Sequence, residues 1–284
     1  MELNRIKTFM LLAGLTALLL FVGQFFGTFG LGIAVTIVFV MNFVTYFWSD
    51  KIVLKMYRAK EVKPGEYPEL YGAVKEVSQY ARIPMPKVYI IPNEQANAFA
   101  TGRNPKNSSV AFTHGIMNIL TKEELKGVIA HEISHIKNRD ILIQTIAATI
   151  AGIIGYLASI AQWTAIFGGF GGDGDDSLGG NIVGLIVIAI LAPIIAMIVQ
   201  LAISRSREYM ADSTGAKLIR NPHALASALE KISGSAKKYP MRFGHESTSS
   251  LFIYNPFKGS GLVKLFSTHP PVEERIKKLK SMKY

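Results

Sequence analysis

Two histidines four residues apart, His131 and His135, bracket a glutamate, Glu132, in the run His131-Glu132-Ile133-Ser134-His135. On a helix, positions i and i+4 share one face, so both imidazoles can reach one cation. Glu132 directly follows the first histidine, where its carboxylate can take a proton from a water polarised by that cation. Neutral nitrogen donors beside a carboxylate base are the makings of metal-assisted hydrolysis, and zinc is the metal that suits these ligand types. On the five residues alone, the competing reading is an amphipathic helix carrying two surface histidines.

A catalytic zinc site takes three protein ligands and keeps one position open. A further histidine shortly after the motif is excluded, because Asn138 and Ile141 stand where the continuation would put Gly and His. The third ligand is therefore sought at a distance, and Glu208 in the run 206–212 is the best candidate. Glu208 and Asp212 lie one helical turn apart and face the same way. Glu208 can ligate zinc while Asp212 accepts a hydrogen bond from a ligand histidine, fixing its tautomer. Ala211 between them is small enough to let two helices approach closely. Without the histidine pair, the same residues would read as a charged surface patch.

The motif needs a helix, and its surroundings predict one. Thr121 followed by Glu124 has the form of a capping box, and acidic Glu123 and Glu124 suit a helix start. Leu125, Val128, Ile129, Ile133 and Ile136 recur at helical spacing.

The separated pieces together resemble the HtpX family of membrane zinc metalloproteases, relatives of the CAAX prenyl proteases. The pieces are residues 97–102, the 131–135 motif, residues 207–212, and Thr268-His269-Pro270-Pro271 with Arg275. Singly each is weak except the zinc motif; their order and spacing carry the resemblance over nearly the whole chain. It implies a mostly helical α+β, zincin-like metallopeptidase domain with a small β-sheet and one zinc ion per chain. It also implies substrate binding by Asn97, Ala98 and Phe99, and makes His269 and Arg275 candidates for a second donor that stabilises charge on the scissile carbonyl. From the residues alone, 97–101 reads equally as an edge strand beside the cleft and as a polar loop. His269 reads equally as a catalytic donor and as part of a turn ahead of Pro270 and Pro271. A role in clearing misfolded or damaged membrane proteins comes only from the resemblance.

The chain of 284 residues is 49% hydrophobic and 18% charged, which is apolar for a soluble protein. The cause is local: no charged residue occurs in 8–49, 141–172 or 177–204. The first stretch is long enough for two spans of about 20 residues each, with a turn expected near Gly27, Gly30 and Gly32. The other two flank a small acidic loop at 171–176, so four transmembrane helices in two hairpins are expected. A second span following at once argues against a cleaved signal peptide. Arg5, Lys7, Lys51, Lys55, Arg58, Lys137, Arg139, Arg205 and Arg207 flank the spans, while the hairpin loops carry no Lys or Arg. The positive-inside rule then places both termini and the zinc motif on the cytoplasmic side of a multi-pass plasma (inner) membrane protein.

The expected division is a membrane hairpin at 1–49, the first part of the metalloprotease domain at 50–140, a second hairpin at 141–204 and the rest of the domain at 205–284. Within it, a helix is predicted over 68–83, strands over 88–91 and 110–113, and a mobile flap over 234–261. The absence of cysteine excludes thiolate ligands and thiol catalysis. The net charge of +11 lies largely beside the spans, so the lipid bilayer explains it and no nucleic acid is expected. His114, His223 and His245 have no ligand spacing and read as structural or solvated.

The expected activity is that of an integral-membrane zinc endopeptidase acting on polypeptides. A CAAX-type prenyl protease would use the same zinc pieces but carries more spans. A non-catalytic adaptor with a structural zinc would have no need of Glu132. A transporter would place charges inside its spans, and these have none.

Overall fold

In the computed structural model, the described residues are 27–151, 205–239, 241, 246–257 and 270–283, with isolated positions among the first 24. The elements are α1 (Gly27–Met56), β1 (Lys60–Glu61), α2 (Pro68–Ala81), β2 (Lys87–Ile91), β3 (Ala98–Asn104), β4 (Asn107–Thr113), α3 (His114–Ile119) and α4 (Lys122–Asn138). They continue with α5 (Ile141–Ala151), α6 (Arg205–Ile219), α7 (Pro222–Lys238), a 3-10 helix (Glu246–Leu251) and α8 (Val272–Ser281).

The helix that bears the histidine pair is α4, and its start is set as the sequence predicts. Thr121 Oγ1 accepts the Glu124 amide and Glu124 Oε2 accepts the Thr121 amide at 2.8 Å. Both are donors that a helix start leaves without intrahelical partners. Glu124 also accepts from Lys231 and Ser227 of α7, each at 2.7 Å, so the cap doubles as a tie between helices. The helix ends where Arg139 turns left-handed at φ 58°, its amide closing on His135 and Ile136. Between these ends α4 is buried on almost every side, which makes it the central helix of the domain and not a surface one.

The sheet that flanks it has the order β1-β2-β4-β3. β2 and β4 run parallel, and the other pairs are antiparallel. Strand alternation sorts its side chains into two cores. Val88, Ile90, Ala98, Ala100, Val110 and Phe112 face the core shared with α2, α4 and α7. Ile91, Phe99 and Ala111 face a smaller core closed by Val53, Leu54 and Tyr57 from the end of α1 and by Phe252. β3 lies at one edge of the sheet. The predicted helix over 68–83 is α2, stopped by left-handed Arg82. The predicted strands are β2 and β4, and β4 starts earlier than expected because Asn104 and Asn107 close a tight hairpin with β3.

α1 is the one helix among the described residues long and apolar enough to cross a membrane. Its most apolar stretch has a mean hydropathy of 2.0 and is 6% buried, and among the described residues Phe29 and Phe39 project outward and are largely exposed. Of the glycines where the turn is expected, Gly27 opens the helix at φ +70° and Gly32 is already helical; residues 25 and 26 lie outside the described residues. The helix runs past residue 49 to Met56 and ends inside the smaller core. The Asn42 amide donates to Thr16 Oγ1 at 3.1 Å, joining α1 to the segment before it. Of the second expected hairpin only α5 is described; the remainder, 152–204, lies outside the described residues.

Two glycines bring the helices close enough to build a site. A Cβ on Gly127 of α4 would stand 2.7 Å from the Leu225 nitrogen of α7, and one on Gly215 of α6 would stand 3.0 Å from the Ala130 carbonyl and the His131 nitrogen. Gly127→Ala should therefore force α4 and α7 apart. The expected loss is about 1–3 kcal/mol of stability, read as a lowered thermal midpoint of the purified protein; an unchanged midpoint would contradict the close packing.

Candidate metal centre

Three helices meet at one buried point. α4 supplies His131, Glu132 and His135, α6 supplies Glu208 and Asp212, and α8 supplies Arg275; each of these residues is no more than 5% exposed. The two Nε2 atoms are 3.1 Å apart. Glu208 Oε2 lies 3.7 Å from His131 Nε2, and Oε1 lies 3.5 Å from His135 Nε2. The imidazoles stand edge to face at 88°.

The other ring nitrogens decide what the Nε2 atoms can do. His131 Nδ1 is 2.9 Å from Asp212 Oδ1, and His135 Nδ1 is 3.0 Å from Asp140 Oδ2. An ionised carboxylate only accepts, so each Nδ1 carries the proton and donates it. Both Nε2 atoms are then bare lone pairs aimed at the same place as the Glu208 oxygens. Such an array is repulsive unless a cation sits within it. Around a tetrahedral zinc with Zn–N of about 2.0–2.1 Å, donor atoms stand about 3.3 Å apart, and the spacings of 3.1, 3.5 and 3.7 Å fit that geometry.

Charge balance agrees. Among the described residues, this buried cluster holds four carboxylates (Glu132, Asp140, Glu208, Asp212) and two guanidiniums (Arg207, Arg275). With neutral imidazoles, two negative charges remain, which one divalent cation offsets. The pKa shifts follow the same field. Burial would lower His135, but Asp140 and Glu208 outweigh it and raise it to about 10. Burial lowers His131 despite its bond to Asp212. The pocket around His135 thus draws positive charge, as proton or as cation. Burial pushes the Glu132 carboxyl up to about 8, with His135 opposing and Glu208 adding to the shift; a dication beside it pulls it back down. Burial would raise Asp212 too, yet Arg275 and the His131 bond hold it at about 2, so it stays ionised.

Arg275 is committed to this scaffold. Its Nε and Nη2 fork onto the two Asp212 oxygens at 2.8 and 2.7 Å, and Nη1 donates to the Ile253 carbonyl at 2.9 Å. Nη2 also lies 3.4 Å from the His131 ring. These bonds occupy most of the donors that a second-donor role for Arg275 would use. Of the proposed substrate residues, Asn97, Ala98 and Phe99 are fully buried at the β3 edge. The Ala98 carbonyl accepts the Ile253 amide at 3.0 Å, and Asn97 Nδ2 donates to the Tyr254 carbonyl at 2.7 Å. Further along the strand, the Ala100 amide donates toward Glu132. His269 lies outside the described residues.

The expected flap over 234–261 takes another form where it is described. Its start is the last turn of α7, and its centre is the 3-10 helix followed by Phe252, whose ring packs 4.8 Å from Tyr57 and 5.1 Å from Phe99. Three consecutive apolar residues, Leu251, Phe252 and Ile253, bury this stretch and outweigh its polar neighbours. Sequence reasoning missed Asp140 and the buried Arg207. Asp140 meets His135 only because Arg139 turns left-handed, a conformation with no marker in the residue types.

Two histidines and a distant glutamate on crossing helices, with the Glu132 carboxylate beside them, make a donor set of the kind that holds the metal ion of a metallopeptidase. The description Peptidase family M48 matches residues 64–283, and the chain belongs to that family. It is 52% identical over 280 residues to the Protease HtpX homolog of Syntrophobacter fumaroxidans, covering 98% of this chain and 99% of that one. It is 53% identical over 280 residues to the Protease HtpX homolog of Thermococcus kodakarensis, with 98% and 95% covered. Among solved structures, S. mikatae Ste24p superposes with a TM-score of 0.52 at 20% identity, covering 98% of this chain and 66% of that one, a likeness of fold. The protein is thus a membrane zinc metalloprotease, with a donor set that fits the metal.

A chelator should abolish peptide cleavage and lower the thermal midpoint, and zinc should restore both. At free zinc near 100 times Kd the stabilisation is about 2.7 kcal/mol. Glu208→Gln should leave the midpoint unmoved at a zinc concentration that saturates the parent; an equal zinc response in the variant would remove Glu208 from the site.

Proposed function

We propose that His131, His135 and Glu208 hold the zinc and that Glu132 is the general base of peptide hydrolysis. The observation that carries this reading is the convergence of two bare Nε2 lone pairs and the Glu208 carboxylate at one buried point. Zinc, when bound, acts as a Lewis acid toward water and the scissile carbonyl. Glu132 takes the proton from the attacking water and hands it to the leaving amine. Burial raises this carboxyl in the absence of a cation, and a dication beside it draws it back toward the ionised form that a base needs. Asp212 holds the His131 tautomer, and the Arg275 fork holds Asp212. His269 is retained as the second donor on the strength of the family resemblance.

Asn97, Ala98 and Phe99 are proposed as the edge that receives an extended substrate. The reading comes from the family resemblance and the place of β3 at the sheet edge; because the Ala98 carbonyl already accepts the Ile253 amide, an extended substrate would pair there in place of that segment. The substrates are proposed to be misfolded or damaged membrane proteins. The site is proposed to lie at the cytoplasmic surface of a four-span protein, with hairpins at 1–49 and 141–204 and the catalytic domain built from 50–140 and 205–284. Support comes from the uncovered apolar face of α1, the Asn42–Thr16 bond and the charge-free stretches on either side of 171–176.

Glu132→Gln should keep zinc but lose about 10²–10⁴-fold in kcat on a model membrane-protein substrate. Cleavage at the parent rate would remove Glu132 from the mechanism, and a preference for prenylated over unprenylated peptides would favour the CAAX-type alternative. The cysteine-free chain also allows a direct test of topology. A single cysteine placed at Ser177 should react with impermeant reagent from outside the cell, and one placed at Lys283 only after the membrane is opened; the reverse pattern would overturn the orientation.

A further inference from the structure

The carboxylate behind His135 comes from a place where no helix periodicity would put it. Residues five apart on a continuous helix point about 140° away from each other, so Asp140 could not reach His135 if α4 simply carried on. Instead Arg139 adopts φ 58°, and the chain folds back. The Asp140 amide then donates to the His135 carbonyl at 3.3 Å, while its Oδ2 accepts from His135 Nδ1 at 3.0 Å. Main chain and side chain of one residue thus grip the same histidine. Asp140 is fully buried.

Its other side is equally fixed. The Gln144 amide donates to the Asp140 carbonyl at 3.3 Å, so Asp140 stands at the start of α5. Thr145 of α5 is bonded to Thr101 Oγ1 at 3.1 Å and to the Gly102 amide at 3.3 Å, and Thr149 reaches the Ser49 carbonyl at 3.4 Å. Arg139 and Asp140 are therefore the two residues between the helix that carries the histidine pair and the helix that leads toward the second apolar stretch. Its counterpart Asp212 is forked by Arg275. Among the described residues Asp140 has no such fork; the buried Arg207 at the start of α6 lies in the field of both Asp140 and Glu208.

We propose that Asp140 is a positioning residue of the metal centre, holding His135 with its Nε2 aimed at the cation and tying that ligand to the α4–α5 joint. The proposal rests on the metallopeptidase reading above. Its physical content is that a neutral ring whose Nδ1–H is held by an anion is a better-oriented and more basic donor at Nε2. A change in the placement of α5 would then reach the metal through one hydrogen bond.

A purely structural role would be that of a helix cap, and the two roles separate cleanly. Asparagine caps a helix start about as well as aspartate, but it is uncharged and makes His135 a poorer donor. Asp140→Asn should therefore keep the thermal midpoint of the metal-free protein. Its zinc affinity, measured by chelator competition on the full chain, should fall about tenfold, and that of Asp140→Ala about 10–100-fold. The visible spectrum of the cobalt-substituted Asp140→Asn protein should differ from that of the parent, because the donor at one ligand has changed. The proposal is overturned if both variants bind zinc within about twofold of the parent with an unchanged cobalt spectrum. It is also overturned if Asp140→Asn fails to fold, since the residue would then serve the fold. A parent protein that binds no zinc would instead remove the metallopeptidase reading.

Discussion

Two imidazole–carboxylate hydrogen bonds set the character of this molecule. Each spends the Nδ1 proton of a histidine on an aspartate, at 2.9 Å for His131 and 3.0 Å for His135, and so leaves both Nε2 atoms able only to accept. With Glu208 facing them, the site gathers donors for a cation, and among the described residues its two guanidiniums, Arg207 and Arg275, offset only part of the negative charge of its four carboxylates. Burying such an array is costly unless a positive charge completes it. The arrangement is intelligible as a metal site and costly as anything else. His131 and His135 are driven in opposite directions because burial, with His135 and Arg275 beside it, lowers the first despite Asp212, whereas Asp140 and Glu208 outweigh burial at the second.

Holding that array requires close helix crossings. Gly127 meets the backbone of α7, Gly215 meets the backbone of α4 at His131, and Ala211 lies fully buried between the two acidic residues of α6. Larger side chains at these points would move Glu208 away from the histidines, since ligands on separate helices shift with the helices that bear them. The Thr121–Glu124 cap and its bonds to Lys231 and Ser227 fix the far end of α4 against α7. Arg275 does the same for α8, because its fork onto Asp212 ends inside the metal cluster. A C-terminal helix is thereby made part of the site by one side chain.

What the sequence disclosed follows from which interactions are local. The α4 helix, its capping box, the histidine pair and the same-face placement of Glu208 and Asp212 all depend on spacings of three or four residues, and periodicity reads these directly. The convergence of α6 on α4 was legible only because His131, Glu132 and His135 demand a third ligand. Asp140 was hidden because its contact depends on one left-handed residue, Arg139, whose type gives no warning. Arg275 was noticed through a family resemblance, but its fork onto Asp212 depends on tertiary packing across 63 residues. The stretch around Phe252 looked loose because serine and glycine surround it; its three apolar residues find a core that only the folded sheet creates.

That second core bears on how the catalytic domain meets the membrane. Val53, Leu54 and Tyr57 belong to the same helix whose earlier turns are apolar and uncovered, and they close the face of the sheet opposite α4. Tyr57 packs on Phe99 of the edge strand at 5.7 Å and on Phe252 at 4.8 Å, and its hydroxyl bonds Thr248. The end of α1 is therefore core, and the domain has no complete hydrophobic interior without it. Cutting the chain before residue 60 would strip Val53, Leu54 and Tyr57 from that face of the sheet, which includes Phe99 of the strand that lies nearest Glu132. Attachment to the apolar helix and the integrity of the site are in this way one structural property, because the same few side chains provide both.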